Sequence, residues 1–256
     1  MPARITSPNH DEVRRAAARN NAHWCDTLCK IHGAAGEHHD AYWLQRGWVP
    51  PYVSNLVTLV GPEGRHAQLA AIRALIDADP HRVFGVKDAF HCLELTPLGF
   101  VVLFEASWIV RAPQREPPRD ADERLEWSVV TTPAELEIWE RTWRGLSANE
   151  AARESVRSFL PALLDEPGFH FLLGKRAAQS VATAALSCTE DVVGLSNVFS
   201  DAPGVGPLFP GCTRLAMQLY PELPLVGFER GDDLVAAERA GFERVGGLRV
   251  WHRAPV

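Results

Sequence analysis

Few stretches of this sequence combine residue types and spacing that could do chemistry. The clearest is the loop Asp201–Gly211, DAPGVGPLFPG, set between an apolar run and a helical pattern. Glycines there open the backbone, and unpaired amides at a helix N-terminus attract anions. The loop is therefore the first place to expect a ligand, although a Gly/Pro stretch also serves as a plain connection. A second group is Cys25, Cys29 and His32, which share one helical face by spacing, a geometry open to a metal. The spacing matches no standard zinc pattern and no second cysteine pair follows, so a helix end with a His-rich loop is the reading taken and no metal is expected. There is no G-x-S-x-G, no H-E-x-x-H, no Walker loop and no complete dinucleotide fingerprint.

These groups need elements to hold them. Val192–Phe199 is apolar, β-branched and uncharged, as in a buried strand, and Leu223–Phe228 is a second short apolar run. Between them, Cys212–Tyr220 carries Leu215, Ala216 and Leu219 at helical spacing, with the helix expected to start late, near Gly211. Asp232–Ala240 is a short helix with Asp at its start and Gly241 past its end, and Gly246–Trp251 closes the set as a strand. Strand, loop, helix, strand is a crossover unit, so a parallel pair must lie inside it.

Earlier in the chain, Asp11–Ile31 reads as a helix, and Ala41–Pro51 is aromatic and then breaks on two prolines. A strand is expected at Asn55–Val60, a helix at Arg65–Ile76 and a strand from Val83 to Val86. Two long strands, His91–Glu94 and Gly99–Arg111, are expected around a turn at Thr96-Pro97-Leu98. The Pro-rich, charged stretch APQREPPRDADER marks a boundary, giving an N-terminal lobe at 1–115, a linker at 116–124 and a C-terminal domain at 125–256. In the latter, Leu125–Val130 is a strand and Thr132-Pro133-Ala134-Glu135 opens a helix. Ser147 opens another, running to about Leu164. Strands at Gly168–Leu173 and Ala177–Cys188 flank a Gly-Lys-Arg turn.

The chain has 256 residues, 46% hydrophobic and 23% charged, as in a soluble globular protein. A net charge of −6 argues against nucleic-acid or anionic-membrane partners. The N-terminal residues have no apolar core segment and no run approaches a membrane span, so neither a signal peptide nor a membrane anchor is expected. Five scattered cysteines suit a reduced, cytoplasmic setting. A homodimer is left open. Most of the eight tryptophans should be core, with a few lining a pocket between the halves.

The order of elements after the linker resembles the GNAT superfamily of N-acyltransferases, with Gly204-Val205-Gly206 where that family has its phosphate turn and Ala240-Gly241-Phe242 at its closing signature. The resemblance implies an α/β mixed-sheet, GNAT-like acyltransferase fold in the C-terminal half. NLVTLVGPEGRHAQLAAIRALI beside LEWSVVTTPAELEIWERTW suggests a partial GNAT-like N-terminal lobe, a copy of the opening elements without an acyl-binding end. It further implies acetyl-CoA or another acyl-CoA as cofactor and a small-molecule amine as acceptor. Leu195, Ser196, Asn197 and Val198 would face the pantetheine arm, and Gly204, Val205 and Gly206 the pyrophosphate, with Arg214 supplying positive charge. Asp201 stands where a carboxylate would repel phosphate, and Pro203, Pro207 and Pro210 remove amide donors. Ala237 occupies the position where the family often carries a tyrosine acid. Glu229, Ser196 and Asn197 are then the candidate catalytic groups, Glu229 as the base that deprotonates the amine. The same departures support an alternative: a catalytically degenerate GNAT-fold module that binds a ligand or protein without acylating it.

Overall fold

The computed structural model describes residues 9–113, 116–118, 122, 124–145 and 157–254. Among the described residues eleven strands form one open mixed sheet. In chain order they are β1 (Glu37–His38), β2 (Tyr42–Leu44), β3 (Leu56–Thr58), β4 (Phe84–Asp88), β5 (Val101–Arg111), β6 (Glu126–Val129), β7 (Phe169–Arg176), β8 (Gln179–Cys188), β9 (Val193–Phe199), β10 (Leu225–Glu229) and β11 (Glu243–Arg253). Their order across the sheet is β1-β2-β3-β4-β11-β5-β10-β9-β8-β7-β6. The α-helices among the described residues are α1 (His10–Ile31), α2 (Arg65–Ala78), α3 (Pro133–Trp143), α4 (Phe209–Leu219) and α5 (Gly231–Arg239).

Strand alternation assigns the helices to faces. Val57 packs in a cluster with Ala22 and Cys25 of α1, whereas neighbouring Leu56 packs with Ile72 and Leu75 of α2. Trp139 of α3 packs with Leu28 of α1, and Phe209 and Cys212 of α4 with Leu234 and Ala237 of α5. So α1 and α3 cover one face, and α2, α4 and α5 the other. The expected α3 start is present in full: Thr132 Oγ1 accepts from the Glu135 amide and the Glu135 carboxylate reaches back to the Thr132 amide, with proline in the first turn.

The strands of the two halves interleave. β11, last in sequence, lies between β4 and β5, and β5 lies between β11 and β10. The mixed sheet and the parallel β9–β10 pair match expectation. The internal correspondence differs. The sequence pairs Asn55–Val60 with Leu125–Val130, yet β6 pairs antiparallel with β7 whereas β3 leads through α2 into a parallel partner, β4, as β9 leads through α4 into β10. The N-terminal half therefore does contain the crossover unit. Its opening is plugged: Thr58 Oγ1 accepts from the Ala89 amide at 2.8 Å, and Gln68 of α2 donates to the Val60 and Ala41 carbonyls.

Other differences are local. His91–Glu94 is no strand, because the Asp88 carboxylate accepts from the Leu93 amide at 2.8 Å and curls the chain back; Thr96–Leu98 is a 3₁₀ turn. The β7–β8 turn is at Ala177-Ala178, both at positive φ, rather than at Gly174-Lys-Arg. α4 begins at Phe209, two residues before Gly211. Residues 147–156 of the helix expected from Ser147 lie outside the described residues, and Pro161–Leu164 is a 3₁₀ turn.

Candidate functional site

β9 and β10 pair for only two residues, Val193 with Leu225 and Gly194 with Val226, and then diverge. A bulge parts them just past a point of close approach. On β9 the register to β8 slips, so that Asn197 and Val198 together oppose Ala184 alone, a β-bulge. Asn197 takes the left-handed conformation (φ 54°), which asparagine tolerates better than most residues. On β10, Gly227 lets the Leu195 carbonyl approach: a Cβ there would lie 2.7 Å from that oxygen. The result is a wedge between two parallel strands, with backbone groups of β9 that no ladder to β10 consumes.

Ser196 and Asn197 engage each other, Ser196 Oγ donating to Asn197 Oδ1 at 2.8 Å, while Thr183 Oγ1 donates to the Asn197 carbonyl at 3.0 Å. The structure thus gives both side chains the job of shaping the bulge. Leu195 is buried and Val198 partly so. Glu229 ends β10 at the open side of the wedge. Burial, reinforced by Asp233, pushes its carboxyl up to about 8. Residues 195–198 and Glu229 all border one cavity of about 1030 Å³, which runs under α1 and along β4, β5 and β11, with Trp24, Trp48, Trp143 and Trp251 in its walls. Ala237 is completely buried among Phe209, Leu234 and Phe242, so no side-chain hydroxyl is present at that point.

The Gly204–Gly206 loop lies between β9 and α4. Asp201 does not face its amides: a Cβ on Gly145 would meet the Asp201 carboxylate at 3.0 Å, and Asp201 borders a separate small cavity with Arg141 and Thr142 of α3. The repulsion expected of Asp201 is thereby directed elsewhere. The carboxylate on the turn belongs to Asp122, whose Oδ2 accepts from the Gly206 amide at 3.2 Å. Arg124 grips the same carboxylate with Nε and Nη2 at 2.9 and 3.0 Å and holds its pKa far below the usual range. Arg176 donates to the Pro203 and Gly204 carbonyls, and Arg214 to the Pro118 carbonyl at 2.8 Å. Arg176 and, through Asp122, Arg124 thus lie at a turn whose Gly206 amide donates to an anionic oxygen, whereas Arg214 is held by the Pro118 carbonyl. Arg124, Arg176 and Asp122 were missed in the sequence, because their contacts span up to 84 residues.

The cysteines and histidine of α1 have protein surroundings of their own. Cys25 and Cys29 are buried, burial pushes the Cys29 thiol up to about 12, and His32 Nε2 lies 3.2 Å from the Ser158 carbonyl. Among the described residues no cluster of three His, Cys, Asp or Glu could hold a metal, and no described helix is long and apolar enough to cross a membrane. A residue the sequence did not flag does stand in the cavity: Lys87 of β4 is buried, with its Nζ 2.8 Å from Asn21 Oδ1.

No family model and no curated protein matches this sequence. Solved structures do match its fold. A GCN5-related N-acetyltransferase from Kribbella flavida is 18% identical with a TM-score of 0.64, over 93% of this chain and 95% of that one. A GCN5-related N-acetyltransferase-like protein from Streptococcus suis is 15% identical with a TM-score of 0.51, over 96% and 100%. A tandem GNAT protein from the clavulanic acid biosynthesis pathway is 12% identical with a TM-score of 0.53, over 93% and 95%. With the wedge of β9 and β10, the bulge at Asn197 and the glycine turn before α4, these likenesses show that the chain has the fold of the GNAT superfamily.

Proposed function

We propose that this protein transfers an acyl group, acetyl in the simplest case, from acyl-CoA to the amine of a small molecule. The observation that supports this most is the wedge itself: two parallel strands parted by a bulge, opening into a cavity beside the half-buried carboxyl of Glu229, which has no hydrogen-bond partner among the described residues. A bound acyl-CoA would supply an activated thioester carbonyl. The chain's residues supply the rest. Freed backbone groups of Leu195, Ser196 and Val198 hold the pantetheine arm. The amides of Gly204, Val205 and Gly206, in the positive field of Arg124, Arg176 and Arg214, hold the pyrophosphate, displacing Asp122. Ser196 and Asn197 fix the bulge. Glu229 takes the proton that the acceptor amine must lose, and a carboxyl poised near neutrality is suited to that. The apolar cavity excludes water from the thioester.

One observation favours a second reading, a binding module without transfer: the Gly206 amide is already engaged by Asp122. Release of free thiol from acetyl-CoA with a panel of small amines separates the two. Transfer predicts amine-dependent thiol release that falls about 10²-fold or more in Glu229→Gln; a binding module predicts none in wild type.

A further inference from the structure

Lys87 is 7% exposed, yet it borders the cavity. Its ammonium has three donors. One goes to Asn21 Oδ1 at 2.8 Å, and the Nζ sits 4.4 Å from the centre of the Phe228 ring. Among the described residues no carboxylate forms an ion pair with it. Because a lysine can only donate, Asn21 must present its oxygen to Lys87, and its NH₂ group, which has no acceptor among the described residues, is left for the cavity that Asn21 also lines. The placement is fixed rather than incidental. The preceding residue, Asn20, ties α1 to β8 through the Ser187 carbonyl at 2.7 Å and the Ser187 hydroxyl at 3.1 Å.

A buried cation without a counter-charge is costly, and burial pulls the Lys87 pKa down accordingly. A purely structural position would be served better by methionine. An anion placed here repairs the deficit. The site has one cation and an adjacent amide, enough for the two oxygens of a carboxylate but short of what a phosphate dianion demands. Phe228 lies against it, and the same cavity is lined by Trp24, Leu28 and Phe104.

We propose that Lys87 and Asn21 bind the carboxylate of the acceptor, so that the substrate is an amine that carries a carboxylate on an aromatic-sized apolar body. The word acceptor rests on the transfer reading above; the carboxylate site itself does not.

The test uses the full chain without CoA and a matched pair of probes, 4-aminophenylacetate and 4-aminophenylacetamide, which differ only in charge at the acid end at neutral pH. Calorimetry should show wild type binding the acid at least about ten-fold more tightly than the amide. Lys87→Met should bind the two alike and, without ligand, melt at a higher temperature than wild type. Asn21→Asp, which gives Lys87 an internal carboxylate, should also lose the preference, and it decides the matter alone if Lys87→Met does not fold. Equal binding of both probes by wild type, no binding of either at about 10 mM, or a preference that survives in both variants overturns the proposal. Acetyl-CoA is titrated into the same samples. A wild type that prefers the acid but ignores acetyl-CoA keeps the carboxylate site and ends the transfer reading, and the converse ends the carboxylate site alone.

Discussion

Glu229 carries the largest electrostatic consequence of any single residue in the wedge. Its carboxyl is raised from 4.5 to about 8, so the folded chain holds the proton more tightly than the unfolded chain does. Such a group stabilises the fold most, relative to its ionised form, below about pH 4.5, and stability is lost as pH rises from there through 8. Glu229→Gln should therefore match wild type in melting temperature near pH 4 and exceed it increasingly up to about pH 8, with a constant difference beyond, which thermal melts from about pH 4 to pH 9 will show. The rate has the opposite sign: a base works only when ionised, so kcat should climb with pH and level off above about 8. Glu229 and the Gly204-Val205-Gly206 turn were legible in the sequence, since a lone carboxylate after an apolar run and paired glycines before a helix are local signals. Lys87 and Asn21 were not. FGVKD reads as an ordinary strand with one polar face, and only the fold shows that the lysine's face lies beneath a helix.

At the scale of elements, two backbone positions can be tested. Ala177 and Ala178 turn β7 into β8 with φ of 49° and 66°, where a side chain is strained. Replacing either with glycine should raise stability by about 0.5–1 kcal/mol, read as a higher urea midpoint at unchanged slope. Gly227→Val has the opposite effect, because its Cβ would meet the Leu195 carbonyl at 2.7 Å. It should cost about 1–3 kcal/mol and weaken acetyl-CoA binding more than stability alone accounts for. Sequence periodicity placed most strands and helices because each had its own apolar pattern. It failed at Tyr42–Leu44, a three-residue strand hidden in an aromatic stretch, and at His91–Glu94, whose path is set by the Asp88 carboxylate instead of by its own propensity.

For the whole molecule, interleaving decides how it folds. With β5 between β10 and β11, and β11 between β5 and β4, neither half can complete its sheet alone. Residues 125–256 expressed without the rest should stay largely unfolded by circular dichroism, and the full chain should unfold in one transition by every probe. A sequence reads locally and could not reveal this exchange of strands, although the resemblance of the C-terminal half to GNAT proteins made the parallel pair at its centre legible. The cavity under α1 exists because both halves build its walls, Lys87 and Phe104 from the first and Asn197, Glu229 and Trp251 from the second.

The central claim, that the wedge of β9 and β10 receives acyl-CoA, is tested most directly by calorimetric titration with acetyl-CoA of wild type and Asp122→Ala. Removing the carboxylate that occupies the Gly206 amide frees a donor and a positive field for phosphate. Wild type should bind with a Kd below about 1 mM, and Asp122→Ala about five-fold more tightly, close to 1 kcal/mol. Absence of binding by both proteins at millimolar acetyl-CoA would contradict the account.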